Sequence, residues 1–395
     1  MKNASVHVLL SVWFLAVCVP ACPAQSSPGS PLAAKISMAK EEYLAGEPVY
    51  VHFEVTNVGK DAVLYTAGDP YSSTCGGYQI ELSRKSEAKG WSCARTTNTD
   101  CLAANPMLAP GETERQNILI NFAHDISKPG EYEVNAVRTL NYWPLTGEAT
   151  RPADAKSFKY ETKLKIQVVA GDRELLKSIY QVYVKNLGSQ DDEIQRDAER
   201  AIASGAPPWL EDTIVGMLRR STSREFALLG LKNLNTPRSR EELAKIVNDT
   251  SPETQENETA VEYLGQMGDK KYLPMLLELA KKEAASADRS YVLAAAELGG
   301  DEAVPLLKEL LANKDANIRT TAVLGLGKTG SRQAVETLVD TMKIANADFQ
   351  AVVGAALAEL THQSRQGPED WEKWWESDGK SARIYSVKEC TAAGN

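Results

Sequence analysis

The sequence predicts a two-part chain, an antiparallel β-sandwich followed by an α-solenoid of stacked helix pairs. Residues 35–170 alternate apolar and polar side chains with the period of two that half-buried strands require. From Asp172 onward the period lengthens to about 3.6, the spacing of amphipathic helices. Within that second part, four segments align at a spacing of 31 residues, the mark of a repeat array.

The opening MKNASVHVLLSVWFLAVCVPACPAQSS has one lysine, an apolar run from Val6 to Val19, and then small residues. This is the layout of a secretory signal peptide, expected over residues 1–24 with cleavage after Ala24. A membrane-spanning helix needs about 20 apolar residues, and Pro20 and Pro23 interrupt the run first. No later stretch is long enough, so a secreted or periplasmic protein without a membrane span is expected. Processing at Cys22 is the alternative, and it would leave a lipid-anchored terminus on a bacterial envelope. Residues 25–34 are expected to be a linker.

Composition is globular, with 43% hydrophobic and 25% charged residues. Net charge is −9, and residues 172–395 carry 28 Lys and Arg against 36 Asp and Glu. Phosphate backbones require a basic stripe, so this balance argues against a nucleic-acid partner.

In the first domain, PVYVHFEVTN places Val49, Val51, Phe53 and Val55 on one face and Tyr50, His52, Glu54 and Thr56 on the other. One face therefore covers a core, and His52 faces solvent. The rhythm returns at Ile118, Ile120 and Phe122, at Tyr132, Val134 and Ala136, and at Leu164, Ile166 and Val168, with turns at Asn57 to Gly59, Pro110-Gly111 and Pro129-Gly130. Short half-buried strands at this spacing argue for an antiparallel sandwich. Beyond the leader stand Cys75, Cys93, Cys101 and Cys390. The first three cluster, which favours a local disulfide in an oxidising compartment, Cys75 pairing with Cys93 or Cys101. The spacings are not those of a zinc site. The phrases YLAGEPVYVHFEVTNVG, LAPGET and KPGEYEV resemble immunoglobulin-like sandwiches of bacterial secreted proteins, including the bacterial intracellular proteinase inhibitor family. The resemblance implies an immunoglobulin-like fold over 35–170 and an inhibitory activity to be tested, with no reactive residue carried over.

The second domain is expected over 172–365. LGQMG from Leu264, AAELG from Ala295, LGKTG from Leu326 and LAELT from Leu357 align. Their second column, Gly265, Ala296, Gly327 and Ala358, is uniformly small, as required where one helix backbone approaches another. Gly268, Gly299 and Gly330 in the fifth column suit the left-handed residue that ends a helix, and Thr361 departs. Between these points YLPMLLEL, AVPLLKEL and AVETLVDT supply the second helix of each pair, and one pair cannot bury its stripe without its neighbours. This resembles the HEAT-like repeat superfamily, in the short form also found in phycobilisome lyases. The likeness covers 252–365 firmly and 172–251 more loosely. It implies a scaffold or binding fold, and no lyase activity is carried over.

GPEDWEKWWESDGK then places Trp371, Trp374 and Trp375 on one face of a short helix expected over 366–380, ahead of a tail at 381–395. Such a face most simply closes the exposed end of the array; the alternative is an aromatic platform for sugar or peptide. For catalysis there is little: His52, His124 and His362 are scattered, His124-Asp125 reads as a solvated pair, and no metal, nucleotide or nucleophile motif occurs. No cofactor is expected. The function expected is that of a noncatalytic interaction protein using the solenoid surface or the sandwich loops. A proteinase inhibitor comes second and a hydrolase without a visible motif third.

Overall fold

A computed structural model of the chain describes residues 25–26, 30–68, 77–84, 105–145, 154–220, 222–249, 255–282 and 289–386. The leader, Cys22, Cys75, Cys93, Cys101 and Cys390 lie outside the described residues.

The alternating half forms two sheets. One has the order β1 (Gln25–Ser26), β2 (Leu32–Met38), β4 (Tyr50–Asn57) and β8 (Thr113–Leu119). The other runs β3 (Glu42–Leu44), β10 (Lys156–Val169), β9 (Gly130–Pro144), β5 (Val63–Tyr65) and β7 (Met107–Leu108), with β6 (Tyr78–Arg84) also on β9. Val51, Phe53 and Val55 of the first sheet share one core with Tyr132, Val134, Phe158 and Ile166 of the second, so the sheets stack face to face. Phe53 meets Tyr78 edge-on across this core, with 5.2 Å between ring centroids.

Three expectations need correction. Residues 32–34, placed in a linker, open β2, and Leu32 is fully buried. The sandwich is not wholly antiparallel, because β3 runs parallel to β10. After β2 the chain crosses to the other sheet and joins its edge in the direction of β10. Phe122 is exposed because Ile120–Phe122 leaves the strand as a 3-10 turn, which breaks the alternation.

The helical half comprises α1 (Arg173–Asn186), α2 (Asp192–Gly205), α3 (Glu211–Met217), α4 (Arg224–Leu234), α5 (Pro237–Val247), α6 (Gln255–Gln266), α7 (Leu273–Lys282), α8 (Ser290–Gly299), α9 (Val304–Leu311), α10 (Ala316–Lys328), α11 (Arg332–Ile344), α12 (Ala347–Thr361) and α13 (Gly367–Trp374). Asp172, Asp191, Thr236, Asp315, Ser331 and Asn346 each accept a backbone N–H in the first turn of the helix they precede. From α2 to α12 the even-numbered helices pack side by side in one row. The row takes in α2 and α4, where sequence periodicity is irregular.

The small column explains the close fit. A Cβ on Gly265 would lie 2.8 Å from Cα of Ala294, and one on Gly327 would lie 3.4 Å from Cα of Ala356. Gly325 meets Ala296 in the same way, with 3.5 Å to its Cβ. Gly265, Ala296 and Gly327 therefore each face a small residue of the next even-numbered helix.

The helix stops alternate. Gly268 and Gly330 are left-handed, with φ of 79° and 65°, as expected. Gly299 is not; its φ is −80°, and Gly300 takes the left-handed place. In the last unit His362 takes it, one position beyond Thr361. Units one and three thus share one exit geometry, and units two and four share another.

Candidate functional site

Among the described residues, polar or aromatic side chains gather on the exposed side of the even-numbered helices, at the C-terminal end, at the joint between the two halves, and inside the sandwich, where buried Arg138 pairs with Glu114 and lies over the Tyr78 ring. On the first, the repeat sets residues in columns. Glu262, Leu293, Leu324 and Ala355 form one, and Gln266, Glu297, Lys328 and Glu359 form the other. Leu293 and Leu324 remain half-buried. Lys328 reaches back from α10 to Glu297 on α8, with Nζ 3.7 Å from Oε2. Glu359 follows on α12. Desolvation pushes its carboxyl above the ordinary value, Lys328 opposes that, and Glu297 adds to it.

At the C-terminal end α13 continues into a π turn at Trp375–Gly379. Trp371 and Trp374 are 1% and 3% exposed and meet edge-on at 5.6 Å, while Trp375 is half-buried. Two of the three rings are thus core, so they present no open platform. The reason is geometric: the face that carries these two rings, three positions apart on the last helix, has α11 and α12 to pack against. Glu372 on the outer face remains 43% exposed and pairs with Lys343 at 2.8 Å.

Residues 381–386, expected as a tail, form a strap. Arg332 donates to the carbonyls of Gly379, Lys380 and Ala382 at 3.0, 2.6 and 2.7 Å. The Tyr385 N–H donates to the Leu360 carbonyl at 2.8 Å, and its ring stacks on His362 at 3.7 Å. The strap turns back toward α11. On the outer side of α12, Ala347, Ala351 and Ala355 stay exposed, and an open cleft of about 450 Å³ runs between this face and Trp371.

At the joint, Tyr50 of β4 donates to Asp197 of α2 at 3.1 Å, and Tyr180 of α1 donates to the Gly46 carbonyl at 2.9 Å. Burial pushes the Tyr50, Tyr180 and Tyr183 hydroxyls up. It also raises the Asp197 carboxyl, against the pull of the Tyr50 hydrogen bond and Arg200.

The histidines stay in three separate places. His52 pairs with Asn117 at 2.6 Å. His124 is not part of a solvated pair with Asp125: its Nε2 lies 3.2 Å from the Ile80 carbonyl, and burial lowers its pKa. Among the described residues, no group of three or more His, Cys, Asp or Glu could hold a metal, and no helix is long and apolar enough to cross a membrane. Sequence reasoning located the tryptophan helix and the small column. It missed Arg332, Tyr385 and the Tyr50–Asp197 pair, because contacts between distant segments leave no local pattern.

Residues 218–296 and 286–358 match the family model for HEAT repeats. The C-terminal region carries HEAT repeats. No curated protein matches the chain. Among solved structures, an engineered protein is 19% identical over 46% of this chain and 95% of its own, with a TM-score of 0.29. The CpcE and CpcF complex of phycocyanin lyase from Nostoc is 19% identical over 51% of this chain and 82% of its own, at 0.30. A Salmonella alpha-2-macroglobulin mutant is 14% identical over 87% of this chain and 27% of its own, at 0.19. Scores this low carry no inference, and the HEAT assignment stands on the family match and the helix pairs.

Proposed function

We propose that this protein is an exported, noncatalytic interaction protein that holds a protein partner on the exposed side of the even-numbered HEAT helices. The observation that carries the reading is the pair of residue columns crossing α6, α8, α10 and α12. Half-buried Leu293 and Leu324 lie beside Glu297 and Lys328, giving an apolar strip with a charged margin. Interfaces combine these elements, an apolar centre with a polar rim. Export is supported by the apolar leader, and anchoring at Cys22 is its alternative form. The immunoglobulin-like kinship of the sandwich is supported by its Pro-Gly turns.

The test is cross-linking in intact cells with the full chain and with the double variant Leu293→Asp, Leu324→Asp. A partner captured by the native chain and reduced about tenfold or more in the variant supports the reading, since apolar anchors dominate interfaces. Equal capture by both sinks it. Cell fractionation checks export separately. Proteinase inhibition through the sandwich stands as the alternative, checked by assaying the full chain against a panel of proteases.

A further inference from the structure

Helix α1 has an apolar face that neither core uses. Its buried side is carried by Leu176 and Tyr180 and ends at the cap residue Leu187. A second stripe, Leu175, Ile179 and Val182 at i, i+4 and i+7, lies about 100° round the same helix. Leu175 and Val182 are 51% and 57% exposed, and Ile179 between them is half-buried without joining either hydrophobic cluster. Glu174, Lys177, Gln181 and Lys185 hold the polar side. The amino terminus of the sandwich lies toward the same end of the molecule. Met38, the last residue of β2, pairs with Val51 next to Tyr50, whose hydroxyl bonds α2, and Gly46 holds Tyr180 of α1 there. β1 runs antiparallel to β2 with Gln25 opposite Ala34, so β1 points its amino end at Met38 and the joint. Ala34 to Met38 is about 13 Å at the rise of a strand. Cys22 stands three residues before Gln25, a reach of about 10 Å. A membrane that holds the apolar leader, or a lipid on Cys22, therefore holds this end of the molecule. The stripe itself is made of Leu, Ile and Val alone. Protein interfaces draw their binding energy chiefly from Trp, Tyr and Arg, whereas a bilayer asks for apolar area with polar residues at its margin.

We propose that the Leu175, Ile179 and Val182 face of α1 lies on a lipid bilayer, with the helix parallel to the membrane plane, and so orients a chain held there by its amino terminus. A contact of this size does not anchor a protein alone. One acyl chain by itself also binds only reversibly, and stable attachment takes two such elements. The stripe is the second. Lys185 borders it and reaches the headgroups with its ammonium while its stem stays on the apolar surface. The inference rests on the Cys22 form of the export reading and concerns α1, whereas the partner reading concerns the even-numbered helices.

The probe is a vesicle of phosphatidylethanolamine and phosphatidylglycerol that carries a phospholipid with a diazirine in its acyl chain. Protein expressed from the full sequence in a bacterial host is extracted from the envelope with its amino terminus as processed, reconstituted, irradiated and mapped by mass spectrometry. Label is expected to concentrate in residues 173–186 and to fall about tenfold or more in the double variant Leu175→Asp, Val182→Asp. Both side chains are exposed, so the variant should fold, which circular dichroism checks. Val184→Asp, on the opposite side of the same helix and 36% exposed, should leave the labelling unchanged. Label absent from α1, unchanged in the double variant, or equally reduced by Val184→Asp overturns the proposal. So does a soluble dimer that the double variant dissociates, which makes a second copy the cover of the stripe. Recovery of the chain in the soluble exported fraction overturns it while leaving export standing, and recovery only from the cytosol overturns both.

Discussion

The Tyr50 hydroxyl donates to a carboxylate, Asp197, that burial holds above its ordinary pKa. A folded-state pKa above the unfolded value means that the folded chain prefers the protonated acid. The associated stability is full below the unfolded pKa and is lost as pH rises through the folded one. Asp197→Asn removes the titration and keeps an acceptor oxygen for Tyr50. Its stability relative to the native chain should therefore improve between pH 4 and pH 7, which urea unfolding at the two pH values measures. Asp197→Ala removes the acceptor as well, and should cost about 1–3 kcal/mol at low pH by leaving the buried hydroxyl short of a partner. Trp371→Ala should cost about 3–5 kcal/mol, the penalty for emptying a core tryptophan site, while Trp375→Ala, half-buried, should cost distinctly less. That three tryptophans shared one face was legible in the sequence. Which of them would be core was not, since it depends on where α11 and α12 lie.

Helix crossings make a different demand. Gly327→Leu must force a branched side chain into a gap where even a Cβ would stand 3.2 Å from Cβ of Ala356, and should cost about 1–3 kcal/mol or more. Gly216, within α3, has nothing within 4 Å of such a Cβ. Gly216→Ala should therefore stabilise by about 0.5–1 kcal/mol through helix propensity. Thermal melts of the two variants should move in opposite directions. The strap depends on one guanidinium: Arg332→Ala removes its hold on three carbonyls, and tryptic cleavage at Lys380 and Arg383 should accelerate. The small column was readable in advance because a repeated contact leaves a repeated residue. Arg332 was not, because a side chain that reaches backbone carbonyls imposes no residue type on the segment it holds. The stop at Gly299 was misplaced because two glycines adjoin there, and either can take a positive φ.

The two-part architecture was visible in the sequence as the change of period at Asp172, but the joint was not. Tyr180 and Tyr50 look like ordinary helix and strand residues until the fold brings Gly46 and Asp197 to them. The sandwich thereby packs on the first end of the helical array, while α13 and the strap cover only part of the last. Calorimetry of the full chain should show the sandwich and α1–α2 melting in one transition, and Tyr180→Phe should lower it by about 0.5–1.5 kcal/mol of stability. The alternating helix stops carry a further implication for how such an array can lengthen. Gly268 matches Gly330 in conformation, and Gly300 matches His362, each pair 62 positions apart. A tandem duplication of two helix pairs would splice every exit turn onto its own kind, whereas duplicating one pair would set unlike turns in succession. Growth of this chain by copying its own units should therefore succeed in even steps and stumble in odd ones.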